Sequence, residues 1–359
     1  MLARWALVAA YAAAAGANQL LWLTYAPITT DVAEHFGVSE GAVGWLSQVF
    51  PLLYVILAIP AGLALDRAFK PALLTGAWLT AIGGAVRLSS DTFTAALAGQ
   101  ILIAIAQPFI LNAVTKVAAA ALPEEKRPNG IALGSAGIFA GTALALPLAP
   151  SVSLSTLLVI DLIVATAAAL ALTVTMRGVT AHREGTAELR EAWPKVRRLA
   201  AVAFLGFGVF VALTTWLQAL LEPAGISDTT AGWLLGAMVV AGVVSSAIFP
   251  PVLARRGQER TFLRAAAVLA SAGCVMLAVA PHVAILAVIP LGIALLGALP
   301  VLLELTEKRT DAASGAAIIW LAGNAGGIVV AVLVQLVNGH PTVAFSLLAV
   351  IAASVLAFA

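Results

Sequence analysis

Long apolar stretches follow one another along almost the whole of this chain. Each holds roughly 18 to 25 residues, which is enough to cross ~30 Å of hydrocarbon as an α-helix. A backbone in lipid must satisfy its own hydrogen bonds, and the sequence lacks the residue-by-residue alternation of a β-barrel. The predicted fold class is therefore an all-α polytopic membrane protein with twelve transmembrane helices, near residues 5–27, 43–65, 71–90, 92–120, 129–150, 153–176, 199–222, 231–253, 261–280, 282–305, 312–336 and 341–358.

The composition of the chain supports a membrane location. Hydrophobic residues make up 62% of the chain and charged residues 10%, whereas a soluble domain carries about a quarter charged residues. The net charge of +2 does not predict a nucleic-acid partner, so the expected partners are the lipid bilayer and a small solute. Cys274 is the single cysteine and the four histidines lie far apart in the sequence, so we expect neither a metal site nor a cofactor.

The basic residues predict the orientation of the chain in the membrane. Cytoplasmic loops of membrane proteins are rich in lysine and arginine. If the N-terminus is cytoplasmic, nearly all of the 19 lysines and arginines of this chain fall on that inner side. Arg87 is then predicted toward the outside. The prediction is a multi-pass protein of the cell membrane with both termini cytoplasmic. The N-terminal segment could also be a signal peptide, but its apolar stretch continues unbroken to Pro27.

One segment of the sequence occurs twice. GVSEGAVGWL occupies residues 37–46, and GISDTTAGWL occupies residues 225–234, 188 positions later. In each copy a serine, Ser39 or Ser227, is placed to cap a helix, and a tryptophan follows at the outer membrane interface. The copy indicates an N-terminal six-helix half at 1–176, a cytoplasmic linker at 177–198 and a C-terminal six-helix half at 199–359. The linker is expected to be solvated chain or, in part, an amphipathic helix on the membrane surface.

Polar and aromatic side chains within the spans are candidate substrate contacts. Polar groups are costly in lipid, so those that occur there usually have a function. On the first helix, Tyr11 lies on one line with three of these candidates. The candidates for substrate binding are Asn18, Trp22, Tyr25, Gln107, Trp216, Trp320 and Asn324. The alternative is that the polar groups join helices to each other and the tryptophans fill gaps in the packing.

Two acidic residues within the spans have other candidate roles. Asp161 is near the middle of the sixth span, where an unpaired carboxylate would tend to take a proton, so it is the candidate for proton coupling. The alternative for Asp161 is a packing role as a protonated or hydrogen-bonded group. Glu304 lies near the inner end of the tenth span and is assigned to a gate, where it could pair with Lys308 or with a base of the other half.

Two six-helix halves in parallel orientation are the plan of the major facilitator superfamily, which this chain resembles over nearly its full length. The loop after the second span, GLALDRAFK, is similar to a loop motif of that family, although Phe69 replaces its second glycine. The resemblance implies that Asp66 and Arg67 act in gating, through charge-assisted bonds at the cytoplasmic face. The corresponding segment of the second half, VLARRGQER, has Ala254 at the position that Asp66 occupies in the first half. Topological charge alone is the alternative for Asp66 and Arg67.

Four segments resemble the feline leukaemia virus subgroup C receptor family, whose members are associated with haem, choline, ethanolamine and pyridoxine-like substrates. They are NQLLWLTYAPI (18–28), VGWLSQVFPLLYVILAIPAGLALD (43–66), GQILIAIAQPFIL (99–111) and LLELTEKRTDAASG (302–315). This resemblance implies that Trp22 and Gln107 contact the substrate. An aromatic face attracts a quaternary ammonium by about 2 kcal/mol when desolvated, and an amide can bind a hydroxyl.

The sequence therefore predicts a secondary transporter that works by alternating access as a monomer. It lacks the G-x-x-x-x-G-K-[ST] phosphate loop, so it does not bind ATP in that way. A choline-like organic cation is the leading substrate. The alternatives are a proton-coupled exporter of lipophilic compounds or haem, which needs Asp161 to titrate, and a non-transporting membrane receptor. No combination of nucleophile, base and metal ligands in the sequence predicts an enzyme.

Overall fold

The computed structural model describes residues 2–179, 189–310 and 313–359, and these residues form helices and connecting turns without a β-strand. The middle of the predicted linker, residues 180–188, lies outside the described residues. The chain divides into two compact units. The N-terminal unit comprises residues 1–188 with 311–317, and the C-terminal unit comprises residues 189–310 with 318–359.

The N-terminal unit is built around its first helix. Its described α-helices are α1 (Leu2–Trp22), α2 (Thr29–Phe36), α3 (Glu40–Arg67), α4 (Phe69–Leu88), α5 (Phe93–Leu111), α6 (Val114–Ala121), α7 (Arg127–Leu148) and α8 (Leu154–Thr175). α1 packs against α5, α7 and α8, α4 packs against α5 and α8, and α3 packs against α5. Several helices of the unit therefore contact α1 directly.

The C-terminal unit repeats this sequence of long helices. The described α-helices in this part of the chain are α9 (Leu189–Leu221), α10 (Asp228–Arg256), α11 (Glu259–Val279), α12 (Ala284–Glu307), α13 (Ala313–Gln335) and α14 (Pro341–Ser354). α10 packs against α12, α11 packs against α12 and α14, and α9 packs against α12 and α14. α12 is therefore central in the C-terminal unit.

Ten of the described helices are long and apolar enough to cross a membrane. Of the other predicted spans, α4 contains Lys70, Arg87 and three glycines, which lower its mean hydropathy, and the apolar helix Pro341–Ala357 is shorter than the rest. The fourth predicted span consists of two helices, α5 and α6, which are separated at Asn112. These helices confirm the prediction of an all-α polytopic membrane protein.

The repeated segment has the same local structure in both units. Gly37 and Gly225 have φ angles of 64° and 77°, a left-handed backbone that favours glycine and ends the preceding helical turn. The hydroxyls of Ser39 and Ser227 then accept a hydrogen bond from the backbone N–H three residues on, at 3.2 and 3.3 Å. The predicted caps are confirmed, and they start α3 and α10.

α9 begins inside the segment that the sequence assigned to the linker. Residues 189–198 form its first turns. Ala192, Val196 and Leu199 are buried, whereas Trp193 and Lys195 are exposed. Apolar residues spaced three and four apart give one apolar face, which explains why this charged segment is helical and packed.

Glycines allow α1 and α7 to approach closely. A Cβ atom added at Gly141 would lie 2.0 Å from the carbonyl oxygen of Gly16, and one added at Gly137 would lie 2.5 Å from that of Ala12. The backbones of the two helices are therefore in direct contact, as small residues permit in membrane proteins. This contact fixes the place of α1 in the N-terminal unit.

Candidate functional site

The predicted polar line of α1 faces its neighbours in the N-terminal unit. The Tyr11 hydroxyl donates to the carbonyl oxygen of Ile110 at 3.0 Å, and the Asn18 amide donates to that of Ile103 at 3.1 Å. Residues further along α1 therefore contact residues nearer the start of α5, so the two helices are antiparallel. Asn18 also donates to the Thr80 hydroxyl at 3.1 Å. The amide of Asn18 thus joins α1 to α4 and α5, and its role in substrate binding stays a prediction.

Trp22 is the last residue of α1, and its indole is held by α3. The indole N–H donates to the carbonyl oxygen of Ser47 at 2.9 Å, and the ring stacks on Phe50 with 5.8 Å between centroids. This carbonyl is available because Pro51, four residues on, has no N–H to donate to it. The half-buried indole therefore has a fixed orientation.

Gln100 and Gln107, seven residues apart on α5, have different environments. Gln100 is completely buried, and its amide donates to the carbonyl oxygens of Trp22 at 3.3 Å and Leu46 at 3.1 Å. Gln107 is 3% exposed, and no hydrogen bond joins its side chain to another residue in the described part of the chain. A buried amide without a partner costs free energy. The role of Gln107 in substrate binding stays a prediction.

The depth of Gln107 relative to Trp22 follows from the pairing of α1 with α5. Trp22 is level with Gln100, and Gln107 lies roughly 10 Å further along α5. Side chains lean toward the N-terminus of their helix, so the side chains of Trp22 and Gln107 lean toward each other across the antiparallel pair. Trp22 packs against a cluster of buried residues that includes Ile103 and Ala104. Contact of one small ligand with both Trp22 and Gln107 stays a prediction.

A charged pair is completely buried at the same end of α1. The Arg87 Nη2 atom lies 2.9 Å from Asp161 Oδ2, and the Thr24 hydroxyl donates to the same oxygen at 2.6 Å. Arg87 Nη1 donates to Thr24 at 3.0 Å and to Gln100 Oε1 at 3.5 Å. The guanidinium also lies 5.7 Å from the centre of the Tyr25 ring. Arg87 therefore occupies one face of Tyr25, a candidate for substrate binding. We call Thr24, Arg87, Gln100 and Asp161 the Arg87 network.

The Arg87 network gives Asp161 the hydrogen-bonded environment that the sequence left open as an alternative. Arg87 and Thr24 bind its carboxylate, and both charged side chains are buried. Removing one member of a buried ion pair costs about 3–5 kcal/mol, so each charge depends on the other. Asp161 is thus the charge partner of Arg87, and its role in proton coupling stays a prediction.

Sequence reasoning did not bring Arg87, Thr24 and Asp161 together, because Arg87 and Asp161 lie on different helices and Thr24 lies in the turn after α1. Arg87 and Asp161 are 74 residues apart. The available signal was electrostatic: a basic and an acidic residue, each alone in an apolar span, are much less costly in lipid when they pair.

Asp66 finds its partner inside the N-terminal unit. Lys116 Nζ lies 3.1 Å from Asp66 Oδ1, and both side chains are more than nine-tenths buried. Arg67, the next residue, is exposed. The pair joins the end of α3 to α6, while the gating roles of Asp66 and Arg67 stay predictions.

Glu304 belongs to a charged cluster in the C-terminal unit. Lys308 Nζ lies 2.7 Å from Glu304 and 2.5 Å from Glu259, so the pairing allowed by the sequence spacing is present. Burial alone would lower the pKa of Lys308, but the hydrogen bonds and charges of the two carboxylates outweigh it and raise the pKa. Lys308 therefore stays charged and joins α11 to α12.

The three remaining candidates lie in the C-terminal unit. The Trp216 indole donates to the carbonyl oxygen of Ala331 at 3.0 Å, which joins α9 to α13. The Asn324 amide donates to the carbonyl oxygen of Trp320, one turn back, at 2.9 Å. The ring of Trp320 meets Phe207 edge to face, with 6.1 Å between centroids. Their substrate contacts stay predictions.

An apolar cavity lies within the C-terminal unit, among α9, α11, α12, α13 and α14. Its walls include Phe207, Leu295 and Trp320, and the described residues that line it carry no charge. Of the three candidates in this unit, Trp320 belongs to the wall. The cavity offers contact to an apolar group and no charged partner.

Comparison with known proteins identifies the family. The family model of the Major Facilitator Superfamily matches residues 7–331 of this chain. The chain belongs to the major facilitator superfamily. The predicted fold of two six-helix halves is the fold of this family, whose members are transporters.

Curated relatives confirm the closer resemblance that the sequence predicted. Solute carrier family 49 member A3 of Danio rerio is 27% identical over 304 residues, which cover 77% of this chain and 64% of that protein. Choline/ethanolamine transporter FLVCR2 of Homo sapiens is 31% identical over 119 residues, which cover 32% of this chain and 23% of that protein. The chain thus spans less than two thirds of the length of these relatives.

Solved structures support the fold alone. The human organic anion transporter MFSD10 (TETRAN) superimposes with a TM-score of 0.81 at 16% identity, covering 99% of each chain. The Fucose:proton symporter FucP of E. coli gives a TM-score of 0.78 at 19% identity, covering 100% of this chain and 98% of that chain. These similarities extend over the whole described fold.

Proposed function

We propose that this member of the superfamily is a secondary transporter that moves a choline-like organic cation across the membrane by alternating access. Trp22 and Gln107 contact the solute: the indole face meets the ammonium group, and the amide binds the hydroxyl. This assignment uses the π face of Trp22 and the amide of Gln107, which form no hydrogen bond with the described residues of the N-terminal unit.

The observation that carries this proposal is the Gln107 amide, which is buried and has no hydrogen-bond partner among the described residues. The Trp22 ring, whose orientation is fixed, lies roughly 10 Å away along the antiparallel helix. The indole N–H is already bound to Ser47, so Trp22 offers a ligand its π face and no hydrogen bond. The buried carboxylate at this end of α1, Asp161, is bound to Arg87. A quaternary ammonium needs an aromatic face and no acceptor for an N–H, so choline suits this site better than a primary amine does.

Two further observations support the proposal. A relative at 31% identity is named a choline/ethanolamine transporter, and the region of similarity covers 32% of this chain. The sequence does not contain the G-x-x-x-x-G-K-[ST] loop that binds the phosphates of ATP, which favours secondary transport. We also propose that the protein lies in the cell membrane as a monomer with both termini cytoplasmic, since the basic residues are concentrated on that side.

A second candidate is an exporter of lipophilic compounds, and the apolar cavity of the C-terminal unit favours it. In its proton-coupled form, Asp161 must exchange a proton while it is bonded to Arg87 and Thr24. Transport driven by a pH gradient and abolished in Asp161→Asn would support this candidate. Transport of a permanent cation without a pH gradient would support the first.

Ligand-induced stabilisation of the purified protein tests the proposal directly. Choline, ethanolamine, haem and pyridoxine are added separately, and the unfolding temperature is measured. A ligand at a hundred times its dissociation constant stabilises the native state by about 2.7 kcal/mol, which is readily detected. We expect choline to stabilise the protein more than ethanolamine does, and Trp22→Ala and Gln107→Leu to remove this effect.

Matched variants control for loss of structure. Trp45 and Gln48 are exposed on α3, so Trp45→Ala and Gln48→Leu should keep the choline effect. Absence of any stabilisation by choline in the parent protein contradicts the proposed substrate. Uptake of labelled choline into proteoliposomes then separates a transporter from a receptor, because a receptor binds choline without flux.

A further inference from the structure

The C-terminal end of α1 is the feature that requires an explanation. α1 ends at Trp22, and in its last turn only the carbonyl oxygen of Gln19 accepts from a backbone N–H of the described residues, that of Leu23 at 3.4 Å. Water satisfies such groups at a protein surface, but in hydrocarbon the protein itself must supply the donors. Two donors come from other helices: Arg87 Nη1 lies 3.4 Å from the carbonyl oxygen of Leu21, and Gln100 Nε2 lies 3.3 Å from that of Trp22. The Thr24 hydroxyl, just beyond α1, also lies 3.0 Å from the carbonyl oxygen of Leu21.

The two donor side chains are themselves held by other helices. Arg87, from α4, is fixed by Asp161 of α8 at 2.9 Å. Gln100, from α5, also donates to the carbonyl oxygen of Leu46 on α3 at 3.1 Å. Both side chains are buried, and Gln100 Oε1 accepts from Arg87 at 3.5 Å. The last carbonyl groups of α1 are therefore tied to four other helices.

We propose that Arg87 and Gln100 are positioning residues for Trp22. By binding the carbonyl oxygens of Leu21 and Trp22, they fix the end of α1 and so determine where the indole meets Ser47 and Phe50. Asp161 acts through Arg87, as its charge partner. The inference rests on the proposed function, because it assigns the Arg87 network to the support of the aromatic contact for the solute.

The alternative is that the Arg87 network only holds α4 and α8 together. The structure provides a matched control for this alternative, because the Trp78 indole on α4 donates to the Thr173 hydroxyl on α8 at 3.1 Å. That hydrogen bond joins the same two helices without reaching α1. Thr173→Val therefore removes a link between α4 and α8 and leaves the end of α1 intact.

The test reports the environment of Trp22 without a ligand. The protein is labelled with 5-fluorotryptophan, and Trp22→Phe identifies the fluorine NMR line of Trp22. We expect Gln100→Leu, and Arg87→Met combined with Asp161→Leu, to shift or split this line. Thr173→Val should leave the line unchanged. A Trp22 line that is unchanged in folded Gln100→Leu protein overturns the inference, whether or not the Arg87 double variant folds.

A second readout connects the position of Trp22 to recognition of the cation. Affinities are measured for choline and for 3,3-dimethylbutan-1-ol, its uncharged isostere. We expect the preference for choline to fall about tenfold in Gln100→Leu, since the cation–π contact depends on the position of the ring. An unchanged preference contradicts the inference. Failure of the parent protein to bind choline contradicts the proposed function instead, and the fluorine line still tests the positioning of Trp22.

Discussion

The N-terminal and C-terminal units follow one repeated plan, yet their buried polar groups differ. Thr24, Arg87, Gln100 and Asp161 form the Arg87 network, and the residues 188 positions further on are all apolar: Ala212, Val275, Val288 and Ala349. Trp22 and Gln107 correspond in the same way to Phe210 and Leu295. The C-terminal unit forms its helices without these polar groups. This set of buried polar side chains therefore distinguishes the N-terminal unit from its repeat.

Removal of one charge from the Arg87 network should have the largest effect on stability. Arg87→Met leaves Asp161 buried without its charge partner, and we expect the free energy of unfolding to fall by about 3–5 kcal/mol. Adding Asp161→Leu should restore most of the loss, because the corresponding positions of the C-terminal unit are apolar. Unfolding in sodium dodecyl sulfate, followed by circular dichroism, measures both effects. A double variant as unstable as Arg87→Met would show that the fold itself needs the charges.

Exchange of the charges of Asp66 and Lys116 tests a second difference between the units. Lys116 corresponds to Glu304, so the sign of the charge at this position is reversed in the C-terminal unit. Lys116→Glu should destabilise the protein by placing two carboxylates together, and Asp66→Lys in addition should recover part of the loss. We expect a coupling energy of about 0.5–3 kcal/mol from the double-mutant cycle. Additive effects of the two changes would contradict a direct pair.

Insertion of a side chain between α1 and α7 should have a smaller effect. Gly141 corresponds to Val329 in the C-terminal unit. Gly141→Val places a side chain against the carbonyl oxygen of Gly16, and we expect a loss of about 1–3 kcal/mol in unfolding free energy. Gly44→Val is the control, because a Cβ atom at Gly44 meets nothing within 4 Å. Equal unfolding free energies for the two variants would contradict the close approach of α1 to α7.

The smallest effect is expected where the two units are alike. Ser39→Ala and Ser227→Ala each remove the side-chain cap of a corresponding helix, and each should cost about 1 kcal/mol of unfolding free energy. Ser354→Ala serves as the control, because its hydroxyl bonds to the carbonyl oxygen of Val350 within its own helix. A clear difference between the two cap variants would show that the repeat has different structural roles in the two units.

The features that were predicted correctly depend on neighbouring residues, and those that were missed depend on distant ones. Apolar runs and the caps at Ser39 and Ser227 are local patterns, so the sequence located most of the long helices. It did not show the break at Asn112 or the early start of α9. Gln100 and Gln107 lie on the same face of α5 by spacing. Only the structure shows that Gln100 binds α1 and α3, whereas Gln107 has no hydrogen-bond partner among the described residues. The pairing of Arg87 with Asp161 likewise needs the packing of α4 against α8.

Pro51 of α3 has a consequence for the evolution of the contact between α1 and α3. Because Pro51 withholds an N–H from the carbonyl oxygen of Ser47, that oxygen accepts the Trp22 indole from another helix. A non-proline residue at position 51 would close the helical hydrogen bond and compete with the indole for the same oxygen. We therefore expect Trp22 and Pro51 to covary among relatives: where the proline is lost, selection to keep an indole at position 22 should weaken.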